Sequence, residues 1–583
     1  MLQSPNISLH KNMANLLLDQ QTVSNDAETI SDSYYFHARP EILQLVPISA
    51  TRILDVGCGA GILGASIKSR QAAEVHGVEL MSDAASKAEG CLDRVWNLPV
   101  ESALPELAND YYDCIVAADV LEHVIDPWVT LIGLKEKLAP DGKIVVSLPN
   151  VQNWGVVSCL LEGKWDYRSE GILDRTHLHF FTRKSVEELF WNAGLRIAHM
   201  GTTIRGPTLP NNFTKSLRKS GLVADPLEQD AETFQFLVVA EKPKHTPSPR
   251  VAVIILNWNG KEDTLECLVS VGQLDYPNYE VVVVDNGSTD DSADAISKQY
   301  PDITLLQTGA NLGYAGGNNV GIRWALNNNA DFVLVLNNDT ILAKDMLSHL
   351  VKAGLLDDRI GLIGPTNYYY SKPSTIWVTG AMLTKPPEAG YKILGDGDAD
   401  SSWKIATQVD ALVGSAMLIK RRVFDKIDLF DERFFLCWEE FDFCARAHKG
   451  GYECYFVPEA KIWHKVGSSF GGAESPLRTY FNIRNRLLWA KKHLPQSARI
   501  NLHNDNFRTL RRILLPPLSL PKTKLPLVKK LFWSLTTWIK ALRRNLSNPT
   551  NQATLMALRD YYLGRFGDCP PRVRSLRQSK TTT

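Results

Sequence analysis

Two stretches of the chain alternate short apolar runs with segments of helical spacing, and a run rich in Pro and Lys separates them. In the first, "RILDVGCGAG" reads as a strand with an acidic end and a glycine turn from Arg52, "EVHGVEL" as a strand ending at Glu79, and "FQFLVVAEKP" as a closing strand. In the second, "VAVIILN" (Val251–Asn257), "EVVVVDNGSTD", "ITLLQ" and "DFVLVLNNDT" (Asp331–Thr340) are β-runs with helical spacing between them, and the glycine-rich "NLGYAGGNN" precedes the last helix. Such alternation predicts parallel sheets that bind ligands outside the carboxyl ends of their strands. Ahead of these stretches, residues 1–33 are polar and read as loosely ordered, and "SYYFHARPEILQLVP" predicts a lead-in helix ending near Pro47. "KPKHTPSPR" reads as a semi-rigid linker. The expected architecture is α/β: a domain over 34–241, a linker over 242–250, a second domain over 251–495 and a tail over 496–583. Within the second domain, Lys385 to Thr407 is rich in Gly and Asp and predicts an irregular loop.

Composition narrows the classes. With 583 residues, 44% hydrophobic and 22% charged, the chain can fill two large cores. Lys plus Arg and Asp plus Glu both number 64, so zero net charge predicts no nucleic-acid partner. The 9 cysteines are scattered without C-x-x-C, which fits a reducing compartment, and no signal pattern or spanning-length apolar run is visible. The expectation is a cytoplasmic protein. Charge is uneven, however: from Asn506 to Arg559 there is no acidic residue, while cations punctuate Leu, Trp and Phe. In "KKLFWSLTTWIKALRR", Leu531, Leu535, Trp538 and Leu542 share a helix face flanked by cations, as in a helix lying on anionic lipid. A helix packed on the catalytic domain with a solvated basic face would show the same pattern. The membrane reading places the protein peripherally on the inner face of the cytoplasmic membrane.

In the second domain Asn257, Asp285, Asn286, Asn338 and Asp339 all fall at strand ends and converge on one crevice. A diphosphate donor explains these types, because its charge needs a divalent cation held by one or two carboxylates and the phosphates themselves. Asp339 is the candidate ligand, Asp285 could accept from a base or ribose, and "NLGYAGGNN", with Asn311, Gly313 and Gly317, allows close backbone approach. Each piece taken alone also reads as a β-turn. From Val251 to about His493 the chain resembles family 2 glycosyltransferases, especially the rhamnosyltransferase-like branch, through "VAVIILNWNG", "VVVVDNGSTD", "NLGYAGGNN", "LVLNNDT", "VGSAMLIKRRVF", "CWEEFDFCARAHKGGYECYFVPEAKIWH" and "YFNIRNR". That resemblance implies a GT-A fold and inverting transfer from a nucleotide-sugar donor, dTDP-rhamnose or a UDP-sugar. It puts "NNDT" where the family has a metal-binding D-x-D motif, with Asp339 the one acid, and it puts Mn2+ or Mg2+ there. It also implies a catalytic base at Glu440, preceded by Glu439, and brings His464 to the metal or diphosphate; a packed strand-end histidine is the alternative. A base takes the acceptor hydroxyl's proton and an electrophile stabilises the leaving diphosphate. Cys437, Cys444, His448, Cys454 and His464 lack the paired spacing of structural zinc.

In the first domain "GAGILG" fits G-x-G-x-x-G, and Glu79 lies near the offset of a ribose-binding acid, as in dinucleotide sites. Asp55 argues for another ligand, since a carboxylate just before the glycines repels pyrophosphate and suits the ammonium and sulfonium of S-adenosylmethionine. Arg52 to about Ala240 resembles class I S-adenosylmethionine-dependent methyltransferases through "ILDVGCGAG", "VHGVEL", "YYDCIVAADVLEHVIDP", "LKEKLAPDGKIVVSLPNV" and "GILDRTHLHFFT". By that resemblance Asp55, Gly57, Gly59 and Gly61 line the methionine end, Glu79 takes the ribose hydroxyls and Asp119 belongs to the cofactor site. Pro99 stands where the family often has an acid, with Glu101 nearest. Glu122, His123, His177 and His179 lie toward the methyl acceptor, where a histidine could take a hydroxyl proton or where proximity alone suffices. Together the two halves predict a bifunctional enzyme that extends and O-methylates a surface glycan such as an O-antigen or capsule, on an acceptor that is free or lipid-linked. A degenerate or separately acting methyltransferase domain, and a membrane-associated glycan-binding scaffold without turnover, are the alternatives. The sequence leaves the oligomeric state open.

Overall fold

The computed structural model describes residues 39–210, 212–220, 225–243, 248–384, 390–466, 475–517 and 527–576. Residues 1–38, residues 244–247 of the "KPKHTPSPR" linker and the end of the tail lie outside the described residues. The chain divides into two compact units, residues 1–193 with 197–242 and residues 194–196 with 243–583.

The first unit is built on a seven-stranded sheet of β1 (Arg52–Val56), β2 (Glu74–Val78), β3 (Arg94–Trp96), β4 (Tyr112–Ala118), β5 (Leu138–Pro149), β6 (Arg196–Ile204) and β7 (Thr233–Glu241), in the order β3-β2-β1-β4-β5-β7-β6. Strands β1 to β5 run parallel, and β7 returns antiparallel to β5. The central strands are buried on both faces, as continuous apolar runs in a parallel sheet must be: Ile53, Leu54, Val56 and Cys114 to Ala117 are all sealed. After β1 the chain turns through Gly57, Gly59 and Gly61 at φ of +69°, +52° and +79°. The left-handed turn opens directly into helix α1 (Ile62–Arg70). A Cβ at position 57 would lie 2.7 Å from Val120. Of the expected lead-in helix the described residues show Pro40–Leu43, which follows Arg39 at φ +43° and ends before Pro47; the part before Arg39 lies outside the described residues.

The second unit holds a ten-stranded mixed sheet. Strands β8 (Val251–Asn257), β9 (Tyr279–Asp285), β10 (Thr304–Gln307) and β11 (Phe332–Asn337) form its parallel half, ordered β10-β9-β8-β11. Beyond it come β12 (Thr340–Leu342), β13 (Ile360–Tyr369), β14 (Lys372–Val378), β17 (Thr407–Val409), β18 (Ala416–Lys420) and β19 (Glu453–His464), while β15 (Gly380–Leu383) and β16 (Tyr391–Leu394) form a separate hairpin. The expected Asp331–Thr340 strand ends at Asn337, and Asn338 and Asp339 turn into β12, which pairs antiparallel with β19. The segment expected as a loop from Lys385 contains β16. Tyr391 and Leu394 at its two ends pack against the core, while Lys392 and Ile393 between them are exposed.

Helices α2 (Gly313–Asn327), α3 (Glu439–Lys449) and α4 (Pro476–His493) cover the catalytic side of this unit, and α5 (Gln496–Leu514), α6 (Leu527–Ser547) and α7 (Pro549–Tyr562) follow. The basic tail is not a loose appendage. Leu502 of α5 and Leu558 of α7 share a core with Leu487, Leu488 and Trp489 of α4, and Ala553, Met556 and Ala557 pack beside Tyr480 and Phe481. Helix α6 contacts α5 and α7 and leaves Leu535, Ile539 and Leu546 exposed along one face. Among the described residues no helix is long and apolar enough to cross a membrane.

Candidate active sites

In the second unit the predicted residues gather where β8, β9, β11 and β19 end. Asn257 is sealed and fully used: its amide donates to Asp285 at 2.8 Å and to Ser288 at 3.1 Å, and its oxygen accepts from Thr264 at 2.8 Å. Asp285 also accepts from the Ser288 amide at 3.2 Å. Asn286 ties β9 to the start of α2 through Gly313 O at 3.0 Å, Asn311 Oδ1 at 3.3 Å and the Leu312 amide at 3.0 Å. Asn338 donates to Thr264 at 2.9 Å. The glycines of "NLGYAGGNN" open α2 rather than a loop, and their missing side chains let that helix approach protein: a Cβ on Gly317 would meet Leu256 at 2.5 Å, and one on Gly313, at φ +74°, would meet Phe435 O at 2.4 Å.

Asp339 and His464 come together from strands far apart in sequence. Thr340 and His464 are partners in the β12–β19 ladder, which places His464 Nε2 3.0 Å from Asp339 Oδ1, and both side chains are buried. The other ring nitrogen, His464 Nδ1, is buried without a hydrogen-bond partner. A buried carboxylate beside an imidazole with one ring nitrogen unpartnered offers an oxygen and a nitrogen lone pair, a donor set that suits a divalent cation.

Glu439 and Glu440 begin α3 on an unusual turn. Phe435, Cys437 and Trp438 have φ of +63°, +67° and +76°, a left-handed run of bulky residues that only strong surroundings can hold. Glu439 is buried and Glu440 half-buried, and one carboxylate oxygen of each, Oε2, has no hydrogen-bond partner. Burial pushes the Glu440 carboxyl up to about 7, and burial together with the charge of Glu440 pushes Glu439 up as well. Tyr314, half-buried, donates its hydroxyl to Gly414 O, and burial followed by the negative charges of Glu439, Glu440 and Asp339 drives its phenol up.

One residue in this centre, within the "YFNIRNR" stretch, has no role assigned from the sequence. Asn485, sealed in the interior of α4, donates its amide to Phe434 O at 2.7 Å, Leu436 O at 2.8 Å and Cys437 O at 2.9 Å. It accepts from Arg484 Nε at 3.0 Å, and Arg484 in turn donates to Gly567 O at 2.7 Å. One amide thus ties together three carbonyls of the strained turn that presents Glu439 and Glu440, with Arg484 also donating to Phe434 O at 3.3 Å. Asn485→Leu leaves buried carbonyls without a donor, at roughly 1–3 kcal/mol, and is expected to lower sugar transfer by about tenfold or more while nucleotide affinity stays near wild type. Steady-state kinetics with calorimetry checks this; an unchanged turnover number would show that the turn holds itself.

In the first unit the glycine turn encloses Asp55, 3% exposed, whose Oδ2 has no hydrogen-bond partner. Burial, then the charge of Glu79, pushes its carboxyl up to about 7. Such an atom suits an ammonium or other cation. Glu79 accepts from the Gly59 and Met81 amides, both at 2.8 Å, and so fixes the turn. Asp119, at φ +57° just after β4, accepts from Arg39, Ser147 and Gln235. His123 and His177 stack edge to face with centroids 4.7 Å apart beside Glu122. His179 stands apart from them, with Nε2 3.2 Å from Ile125 O and its ring against Trp128. Glu101 is exposed, and Asn97 rather than an acid reaches back to Glu79 O at 2.9 Å.

Residues 31–200 match the family model of a methyltransferase domain, and residues 252–427 match that of glycosyl transferase family 2. Both units are therefore transferases. The chain joins a methyltransferase domain to a family 2 glycosyltransferase domain of the GT-A fold, in that order. It is similar to the low-salt glycan biosynthesis hexosyltransferase of Haloferax volcanii, at 29% identity over 252 residues, 42% of this chain and 77% of that protein. It is similar also to the N-acetylglucosaminyl-diphospho-decaprenol L-rhamnosyltransferase of Mycobacterium tuberculosis, at 28% over 214 residues, 33% of this chain and 68% of that protein. The dTDP-rhamnosyl transferase of Shigella flexneri is 22% identical over 253 residues, 42% of this chain and 81% of that protein.

Proposed function

We propose that the chain extends a surface polysaccharide with a sugar from a nucleotide donor, with inversion, and O-methylates a sugar hydroxyl from S-adenosylmethionine. The observations that carry the first reaction are the buried, unpartnered Oε2 atoms of Glu439 and Glu440 at the start of α3 and the buried Asp339–His464 pair. In this reading Glu440 takes the proton of the acceptor hydroxyl, whose oxygen attacks the anomeric carbon from the face opposite the diphosphate. Asp339 and His464 hold a divalent cation, Mn2+ or Mg2+, which supplies charge stabilisation for the leaving diphosphate. Asp285 and Asn286, at the end of β9, bind the nucleoside. Rhamnosyl transfer in the names of two relatives favours dTDP-rhamnose as donor.

The second reaction rests on the orphaned, buried Oδ2 of Asp55, which faces the charge that S-adenosylmethionine carries at its methionine end, with Glu79 beside it for the ribose. Donor binding tests the first reading. Calorimetry with UDP, dTDP and GDP, with and without Mn2+, is expected to show cation-dependent binding of dTDP that Asp339→Ala abolishes; no binding by any of the three would overturn the donor site.

The acceptor in this reading is lipid-linked, like the diphospho-decaprenol named for one relative, and α6 meets it at the membrane. The exposed Leu535, Ile539 and Leu546, on a helix whose other faces carry Lys540, Arg543 and Arg544, support this peripheral placement. Co-sedimentation with vesicles rich in phosphatidylglycerol is expected to fall steeply as salt rises and to fall further in the double variant Leu535→Asp, Ile539→Asp. Pelleting that neither salt nor the substitutions change would argue against it.

A further inference from the structure

Outside the pieces used above, the first unit holds a group that neither the cofactor nor a simple proton relay accounts for. We propose that Glu122, His123 and His177 bind a divalent first-row metal ion on the acceptor side of the methyltransferase domain, where the ion takes the hydroxyl to be methylated.

Three ligand atoms, one from each residue, lie within 4.8 Å of one another. Glu122 is 1% exposed, and its Oε2 has no hydrogen-bond partner. A sealed carboxylate oxygen without a donor is destabilising, and the two imidazoles beside it make the group complete as a metal site. The histidines are already in the tautomer that a metal requires. His123 Nδ1 donates to Thr176 O at 3.3 Å and lies 3.1 Å from Thr176 Oγ1, whose own proton goes to Asp174 at 2.6 Å. His177 Nδ1 donates to Ile172 O at 3.0 Å. Each ring therefore carries its free lone pair on Nε2, and each is oriented by a main-chain carbonyl, the usual outer support of a metal-bound histidine. The backbone fixes the group as well. The Glu122 carbonyl accepts from the Leu178 and His179 amides at 2.8 and 3.2 Å, which clamps the loop carrying His177 against the turn carrying Glu122 and His123.

Two imidazoles and one carboxylate leave open coordination positions and favour a borderline ion of the zinc or iron type over Mg2+. An acceptor hydroxyl in an open position becomes more acidic. Its O–H bond breaks with the proton passing to water. The oxygen lone pair then forms the new O–C bond to the sulfonium methyl, and the C–S pair returns to sulfur. The products are a methyl ether and S-adenosylhomocysteine, and the ion keeps its oxidation state. This chemical step rests on the hydroxyl-methylation reading above; the metal site itself does not.

The test uses full-length protein carrying Asp339→Ala, so that the donor-side cation does not count, titrated with Co2+ and followed by its visible absorption. One equivalent is expected, lost in Glu122→Gln and in His177→Gln, with S-adenosylmethionine affinity unchanged by calorimetry. Equal Co2+ uptake in all three proteins would overturn the proposal. Should Glu122→Gln also lose S-adenosylmethionine, the half-buried His177→Gln decides in its place, by the same two readings. With methyl rhamnoside as probe, metal-loaded protein is expected to release S-adenosylhomocysteine at least about a hundredfold faster than chelated protein. Equal rates would overturn the role in transfer, whereas no release in either state, with Co2+ bound, counts against hydroxyl methylation and leaves the metal site standing.

Discussion

Glu440→Gln is expected to lower sugar transfer by about 10²–10⁴-fold, the usual range for removing a general base, with nucleotide binding kept. The glutamine preserves the shape of the turn and the start of α3, so the loss would report chemistry and not folding. The wild-type pH profile makes the assignment sharper. A base works deprotonated, and the Glu440 carboxyl is pushed up to about 7, so the rate should be low in acid, rise through neutrality and level off above it. Two carboxyls at one helix start resist ionising together, so the pair titrates as a unit, and burial outweighs the favourable helix N-terminus that would otherwise keep both low. In the variant the limb near 7 should vanish along with the rate. Full activity with an unchanged profile would move the base elsewhere, with Glu439 next in line.

Asp55→Ala is expected to weaken S-adenosylmethionine binding by about 10²–10⁴-fold, since it removes the buried partner of a buried cation, a change that ordinarily costs about 3–5 kcal/mol. The apo protein supplies an internal control. In it Asp55 is sealed with one oxygen unpartnered and a carboxyl at about 7, so its ionised form is held against the preference of its surroundings. Removing it should leave the melting temperature unchanged or higher, while binding is lost. The sign of the pH effect follows from the same shift: cofactor binding favours the ionised carboxylate, so affinity should strengthen as pH rises through about 7 and then plateau. Isothermal calorimetry across that range checks both statements. Wild-type affinity in the alanine variant would sink the cofactor assignment; lost affinity with a lowered melting point would make Asp55 a folding residue instead.

Much of the scaffold was legible because it obeys local rules. The runs at Val251–Asn257 and Tyr279–Asp285 are strands because β-branched residues buried on both faces have no other stable arrangement, and the glycine turn after β1 is spelled out by three residues that tolerate positive φ. The Asp339–His464 contact is of another kind. It depends on the pairing of β12 with β19 across most of the domain, which no spacing records, and only the order of family motifs suggested it. Asn485 was invisible for a stronger reason. Its partners are the carbonyls of Phe434, Leu436 and Cys437, exposed only because the next residues adopt left-handed backbone that Phe, Cys and Trp normally avoid, so local preference pointed away from the feature that matters. At Gly313 and Gly317 the need for close approach was legible, but not that Phe435 and Leu256 are protein neighbours that require it. The tail shows the same ambiguity at larger scale: one amphipathic pattern serves both α7, which buries its apolar face on α4, and α6, which leaves part of its own uncovered.

The bond from Arg484 to Gly567 also sets an order of events during synthesis. The methyltransferase unit has all of its strands once residue 241 has left the ribosome, whereas the turn beneath Glu440 gains its last anchor only after the chain has run through α7. A nascent or C-terminally clipped molecule thus carries a finished first fold and a sugar-transfer centre still missing its brace. Clipping before Gly567 is therefore expected to lower sugar transfer while the strands of the first unit remain in place.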